Sequence, residues 1–490
     1  HNEVGHKTLL MFTLLAILCI IILAPLAIGS VYIVTYSLMG AIVFAALGCQ
    51  AARFALSPNP YAFGDWTLIK DKRFLAMITP FVLFLLVCFL QLIPLPSTIL
   101  HFVSPDTSQL YEKLGLNAAG YGLPLSISPA LTTAALLKWC TYGGLFLLLA
   151  TWRPNVGSAG DQRWLLLPVC AIFAVGCIES VYGLYNAVNH SDSLFWFTRT
   201  HNVGIVSGTY INPDHLAGLL DMAIPVSVGL FLYQGGLLRE RYGRSTRGII
   251  SLLGSRKALW LWVLSLGVLV MVLAHIFTLS RMGHISVMAA FGIVFVLYGT
   301  KKLRLPVVTM IVLLSLGILW AMWEGMGAVI AKWGMLENSF QGRHEVWKGA
   351  FSLAANFPLF GTGLGTFRLA YPPYKASGFG ATTYDHAHND YVEMFADTGM
   401  IGSIPWIAFF CLFLFLVTRS WFRNDSFFAG TIGTGCIAAV IAALVHSLAD
   451  FNLQIPANAA ILFVVMGMTW RMTEIPHPAR ASSNKPTGRL

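Results

Sequence analysis

Runs of about 18 to 24 apolar residues recur along nearly the whole chain, and each is long enough to cross a hydrocarbon core of ~30 Å. They lie at roughly 8–28, 31–50, 74–96, 132–151, 164–186, 215–233, 259–279, 284–300, 305–323, 400–418, 427–446 and 457–472. The pattern predicts an all-α integral membrane protein with about 12 transmembrane helices, one polytopic unit over 1–472. The first run is followed at once by a second and lacks a small-residue cleavage site, so it reads as a helix and not as a secretory signal. The chain opens on His1, and residues 1–6 read as a start that need not be native. Residues 473–490, polar and containing Pro, Ser and Lys, read as a disordered cytoplasmic tail.

Composition agrees and adds an orientation. Of 490 residues 57% are hydrophobic and 11% charged, against about 25% charged in an ordinary soluble domain. A soluble globular enzyme is excluded. With the N-terminus on the cytoplasmic side, the inner segments hold 22 of the 31 basic residues but 7 of the 21 acidic ones. This inside-positive bias places both termini in the cytoplasm and accounts for the net charge of +10. Because the basic residues are scattered over several loops and two tails, no nucleic-acid partner is expected. All eight cysteines fall in predicted spans without a CxxC, so no disulfide or zinc framework is implied.

The outer segments 97–131, 187–214 and above all 324–399 are long, aromatic and rich in Gly and Pro, the profile of loops that carry function. Segment 343–357 spaces Val346, Ala350, Leu353 and Phe357 on one helical face before Pro358 and reads as an amphipathic surface helix. GTGLGTF at 361–367 has neither a preceding strand nor a following Lys, which favours a tight turn over a phosphate cradle. The densest polar cluster is Tyr384, Asp385, His386, His388, Asn389 and Asp390. A helix is expected to start there, with Asp390 and Glu393 as a capping box and Gly399 as its stop.

His388 then sits at a helix N-terminus, whose positive dipole end favours a neutral ring able to take a proton. The same residues also fit a surface His–Asn pair that caps the helix, and residue chemistry leaves base and cap open. His386, His388 and the nearby Asp residues lack the spacing of a metal-ligand set, so no metal is expected. Arg281 lies where two apolar runs meet, which is costly unless it faces a polar cavity, meets an anion, snorkels to headgroups or pairs with an acid such as Glu179. Arg199 begins an outer loop and fits an anion ligand or a solvated loop residue. Arg343 fits an anion ligand, a helix cap or a partner for Glu337. Arginines that converge would hold a diphosphate through planar, bidentate donors.

HNDYVEMFADTGMIG, with His388, Asn389, Gly399 and Gly402, resembles the His-Asn and Gly-x-x-Gly pattern of the O-antigen ligase and polymerase superfamily. RHEVW at 343–347, PLFGTGLGTF, Ser280-Arg281-x-Gly283, SGTYINPDHLA at 207–217 and HSLADFNLQIPANA at 446–459 extend the likeness over roughly 195–465. The resemblance implies a GT-C-like membrane glycosyltransferase of the bacterial inner membrane, with a large periplasmic loop at 324–399 that contains short helices and carries the active site. It would take a glycan from undecaprenyl diphosphate. The acceptor would be a lipid A–core sugar in a ligase, or a growing glycan in an O-antigen or exopolysaccharide polymerase.

By the same resemblance His388 is the general base of an inverting, metal-independent transfer, supported by Asn389. Arg281, Arg199 and Arg343 bind the donor diphosphate, and Arg281 also stabilises its departure. No cofactor is expected. Many relatives carry an arginine immediately before the SGT element, where this chain reads Gly204-Ile205-Val206, so Arg199 is the nearest substitute. A transporter or flippase of lipid-linked sugar is the rival of another class. It would need ionisable residues lining a path at mid-membrane, and the spans hold few, chiefly Lys138, Glu179 and Asp221.

Overall fold

The computed structural model describes residues 2–55, 70–116, 122–152, 163–191, 193–195, 197–199, 204–242, 251, 254–300, 336–376 and 383–474. Among the described residues the regular structure is helical apart from a hairpin of two-residue strands, β1 (Ser193–Leu194) against β2 (Phe197–Thr198), and an isolated bridge between Leu95 and Leu123. In order, the helices are α1 (Asn2–Leu26), α2 (Ile33–Ala55), α3 (Lys72–Leu90), α4 (Ser97–Val103), α5 (Pro105–Lys113) and α6 (Pro129–Ala150). Then come α7 (Leu166–Val188), α8 (Pro213–Tyr242), α9 (Leu259–Phe277), α10 (Arg281–Thr300) and α11 (Leu336–Asn356). The series closes with α12 (Phe367–Ala370), α13 (Asp390–Arg423), α14 (Thr434–His446) and α15 (Pro456–Glu474). Among the described residues ten helices are long and apolar enough to cross a membrane.

Eleven of the twelve expected spans coincide with described helices, and the window 305–323 lies outside the described residues. The helix at 456–474 falls outside the ten that pass on length and apolarity. The expected tail begins within this helix, which runs to Glu474; residues 475–490 are not described.

The helices differ in how much of their apolar surface faces protein. α8 buries 89% of its apolar window, and the unit of α14 with the π-turn before it buries 83%. By contrast α2 buries 28% and α3, α9 and α10 bury 33% each. Residues such as Leu15, Leu38, Leu86, Trp260, Met288 and Phe295 consequently remain exposed, as expected for a surface solvated by lipid tails. The two central helices approach closely because glycines line their seam. A Cβ on Gly435 would lie 2.3 Å from the Pro225 carbonyl oxygen, and one on Gly229 3.1 Å from Ile432 Cα. Small residues of this kind let backbones meet where apolar burial alone gives little preference for protein over lipid.

The expected helix stop at Gly399 is present: α13 is broken there (φ 61°, ψ −169°), so that a loop helix from Asp390 and a span that ends at Arg423 meet at this residue. The break is packed tightly, since a Cβ on Gly399 would come within 2.3 Å of the Leu359 carbonyl. The GTGLGTF segment is the turn that clamps it. Thr362 N donates to Ala396 O (3.1 Å), Gly363 N to Asp397 O (2.9 Å) and Gly365 N to Asp397 Oδ2 (2.6 Å). Leu364 N donates to Gln91 Oε1 (3.0 Å), and Gln91 Nε2 returns bonds to the Phe360 and Asp397 carbonyls. These amides are already taken, so the segment holds α13 against α3 and offers no phosphate cradle.

Candidate active site

α11 forms the amphipathic helix expected at 343–357. Val346, Ala350, Leu353 and Phe357 are all buried, against Phe367, Tyr371, Val392 and Ala396. This small core fixes the start of α13, where the polar cluster lies. Asn389 is its N-cap: Oδ1 accepts from Tyr391 N (3.0 Å) and Val392 N (3.1 Å), and Nδ2 donates to the Leu448 carbonyl (2.7 Å). The expected Asp390–Glu393 capping box is therefore corrected. Glu393 reaches back past the cap to accept from Ala387 N (2.8 Å) and to meet His386 Nδ1 (2.7 Å). Asp390 is buried; its amide donates to the Ser447 and Asp450 carbonyls, and its carboxylate accepts from Leu453 N (3.0 Å).

Residues 388–390 are thus stapled to the turn 447–453 that follows α14. His388 takes a left-handed backbone conformation (φ 51°), a strained one for a residue with a side chain, tolerated where surrounding contacts over-determine it. The staple brings His388 Nδ1 to 3.5 Å from Asp450 Oδ1, with the imidazole 30% exposed and the carboxylate 1% exposed. Burial pushes the Asp450 carboxyl up, but its interactions with His388 and His446 outweigh that and hold it well below the usual carboxylate range. An anion therefore faces one nitrogen of a partly exposed ring. His388, His386 and His215 all pack on the Phe451 ring, with centroids 4.9, 4.4 and 4.8 Å away.

The arginines reach this place from three elements. Arg343, on α11, donates from Nη1 to the Ala449 carbonyl (2.8 Å) and from Nη2 to Asp214 Oδ2 (3.3 Å). It is thereby fixed to the residue preceding Asp450. Glu337, its suggested partner, lies in the part of α11 whose side chains are not described. Arg281 opens α10, partly exposed, within electrostatic reach of Arg343 and Asp214. The acid suggested as its partner is engaged elsewhere: Glu179 accepts from both Thr209 N and Thr209 Oγ1 at 2.7 Å.

Arg199 is buried and donates to Ile205 O (3.3 Å) and Ser207 Oγ, so a solvated loop arginine is corrected. The loop it ties docks on the end of α9, four residues ahead of Arg281, for Val206 N donates to the Phe277 carbonyl (3.3 Å). The expected site residues His388, Asn389, Arg281 and Arg343 therefore gather around the 447–453 turn, and Arg199 sits behind, bracing the loop ahead of α8.

The turn adds residues to the site. In HSLADF, His446 and Asp450 stand four apart at a helix end, which is a legible signal. Asp214 and Phe451 had no such signal, since nothing local in the chain marks their partners.

Loss of the cap makes a sharp test of how the corner is held. Asn389→Ala removes two accepted bonds and one donated bond. It is expected to lower stability by about 1 kcal/mol while reducing turnover at least tenfold, read by melting in detergent against initial rates. Equal, small effects on both would mean that the cap does not position His388.

No curated protein matches the chain at a significant level. Residues 266–407, which carry Arg281, Arg343, His388 and Asn389, match the family model described as O-Antigen ligase, so this part of the chain is similar to that family.

Proposed function

We propose that the protein is an O-antigen ligase-type glycosyltransferase that moves a glycan from undecaprenyl diphosphate to an acceptor hydroxyl, a lipid A–core sugar, on the periplasmic face of the bacterial inner membrane. The observation that carries the reading is the shared turn: Asp450 faces His388, while the adjacent Ala449 carbonyl holds Arg343, with Arg281 in reach. A base and two cations on one surface match a reaction that makes an alkoxide-like nucleophile and releases a diphosphate.

In this mechanism the other nitrogen of His388, Nε2, takes the proton of the acceptor hydroxyl as its oxygen bonds to the anomeric carbon. The bond from that carbon to the diphosphate oxygen breaks, and the electron pair leaves with the diphosphate. Attack from the face opposite the leaving group inverts the anomeric centre. Asp450 stabilises the imidazolium that forms, and Arg281 and Arg343 meet the charge that develops on the leaving group. Arg199 supports the donor site through the 205–207 loop. The chemistry needs no metal and no cofactor.

The test is product identification with purified protein and lipid-linked glycan, with and without lipid A–core. The expected result is glycan transferred to the core only when the core is present. Lengthened lipid-linked glycan without core would make the protein a polymerase using the same donor, and no covalent product under either condition would favour a transporter of lipid-linked sugar.

A further inference from the structure

Asp450 is the outer end of a buried chain. His446 Nε2 lies 3.6 Å from Asp450 Oδ2, and its Nδ1 lies 2.6 Å from Asp221 Oδ2. The other oxygen of Asp221 is 2.8 Å from His275 Nε2. Imidazole and carboxylate thus alternate from His388 at the surface through Asp450, His446 and Asp221 to His275. All of them except His388 are at most 2% exposed. They come from α8, α9, α14, the turn after α14 and the residue before the α13 cap.

Two carboxylates so far from water are costly unless counter-charge reaches them, and the groups the structure places beside these two are imidazoles. His446 alone touches both, one ring nitrogen toward each. A proton on each of its nitrogens makes it the cation that bridges two anions, so the charge His388 meets across Asp450 depends on His446 behind it.

We propose that this buried chain sets the proton affinity of His388, with His446 as the bridging cation and Asp221 the anion that anchors it. Asp450, His446 and Asp221 are then positioning residues for the base in the reaction proposed above. The inference rests on that reading for its purpose, though its test does not.

Other titratable or charged groups lie around His388. Asp214 and His215 approach from the start of α8, His386 lies across Phe451, Arg343 comes from α11, and Glu393 and Asp390 from the first turn of α13. His275 is in turn packed against His284 of α10 (ring centroids 5.4 Å apart). These groups are unchanged by the variants below, so a shift read at His388 reports the chain.

Diethyl pyrocarbonate modifies neutral imidazole. Modification of His388 in the full-length protein, followed by peptide mass spectrometry across pH, gives the pH of half-modification without any substrate. His344, 49% exposed, is the internal control. His446→Gln keeps a hydrogen-bonding side chain but removes the cation. His388 then faces a less compensated anion, holds its proton more tightly, and its midpoint rises by about one unit, a tenfold change in proton affinity. Asp450→Asn removes the anion and moves the midpoint down by a similar amount.

Opposite shifts at His388 with His344 unmoved are the expected result. A midpoint unmoved in a folded His446→Gln protein overturns the proposal. If that variant fails to fold, Asp450→Asn decides alone, and an unmoved midpoint there overturns it equally. An active His388→Ala enzyme would sink the catalytic reading and leave this titration standing, whereas an inactive one with unmoved midpoints would sink only the chain.

Discussion

His388→Ala is expected to abolish glycan transfer, a fall of about 10²–10⁴-fold or more, while the protein keeps its melting temperature within a few degrees. The two halves of the expectation come from different atoms. The imidazole is 30% exposed and contributes an edge contact to Phe451, so its loss removes little packing. The cap that orders this corner belongs to Asn389, and the staple to the 447–453 turn belongs to the Asp390 amide and carboxylate. Alanine at 388 also has to adopt the left-handed backbone (φ 51°), a cost of order 1–3 kcal/mol that the histidine already bears. Rates with lipid-linked donor, set beside a melting curve, separate the effects. Near-normal turnover removes His388 as the base, and a collapsed melting curve makes it structural.

The second large effect is expected at Arg281. Arg281→Ala should reduce transfer by about 10²–10³-fold, the usual consequence of deleting one donor to a developing charge, with Arg281→Lys recovering only part. Arg343 is committed to the Ala449 carbonyl and to Asp214, so part of its charge is already balanced and part of its donor set spent on structure. Arg281 stands at the first residue of α10 and is partly exposed, with Asp214 and Arg343 in electrostatic reach. In the proposed reaction a guanidinium there would meet the donor diphosphate through two parallel bonds that an ammonium cannot reproduce. Donor saturation curves would show the loss in kcat/KM. Unchanged activity would return Arg281 to an arginine reaching for headgroups.

The spans were legible because a hydrocarbon solvent imposes one simple rule on the sequence, twenty or so apolar residues in a row. The amphipathic face of α11 was legible for the same kind of reason, as Val346, Ala350, Leu353 and Phe357 repeat at helical spacing. Local signals also located the helix start beside His388 and the break at Gly399. They misassigned the cap, because Asn389, Asp390 and Glu393 are all good residues for that place and only the Leu448 carbonyl, some sixty residues away, selects Asn389. The partners of the reactive groups were hidden for the same cause. Asp214 to Arg343, Asp221 to His275 and His446, and Asp450 to His388 are contacts across the fold, set by which helices lie side by side. Along the chain Asp221 reads only as a charge in a span, and its place between two histidines is set by which helices meet.

The clamp around Gly399 bears on how this protein meets membranes of different thickness. The first turns of α13, the Gly-rich turn and Gln91 at the end of α3 are bonded into one block, and beyond the break Met400 N and Ile401 N tie the apolar length of α13 that ends at Arg423 to the Pro358 and Leu359 carbonyls of the same segment. When a thinner or thicker bilayer tilts that length, the block moves with it as a unit. Lipid chain length would then raise or lower the start of α13 relative to the headgroups, changing how easily lipid-borne molecules reach His388.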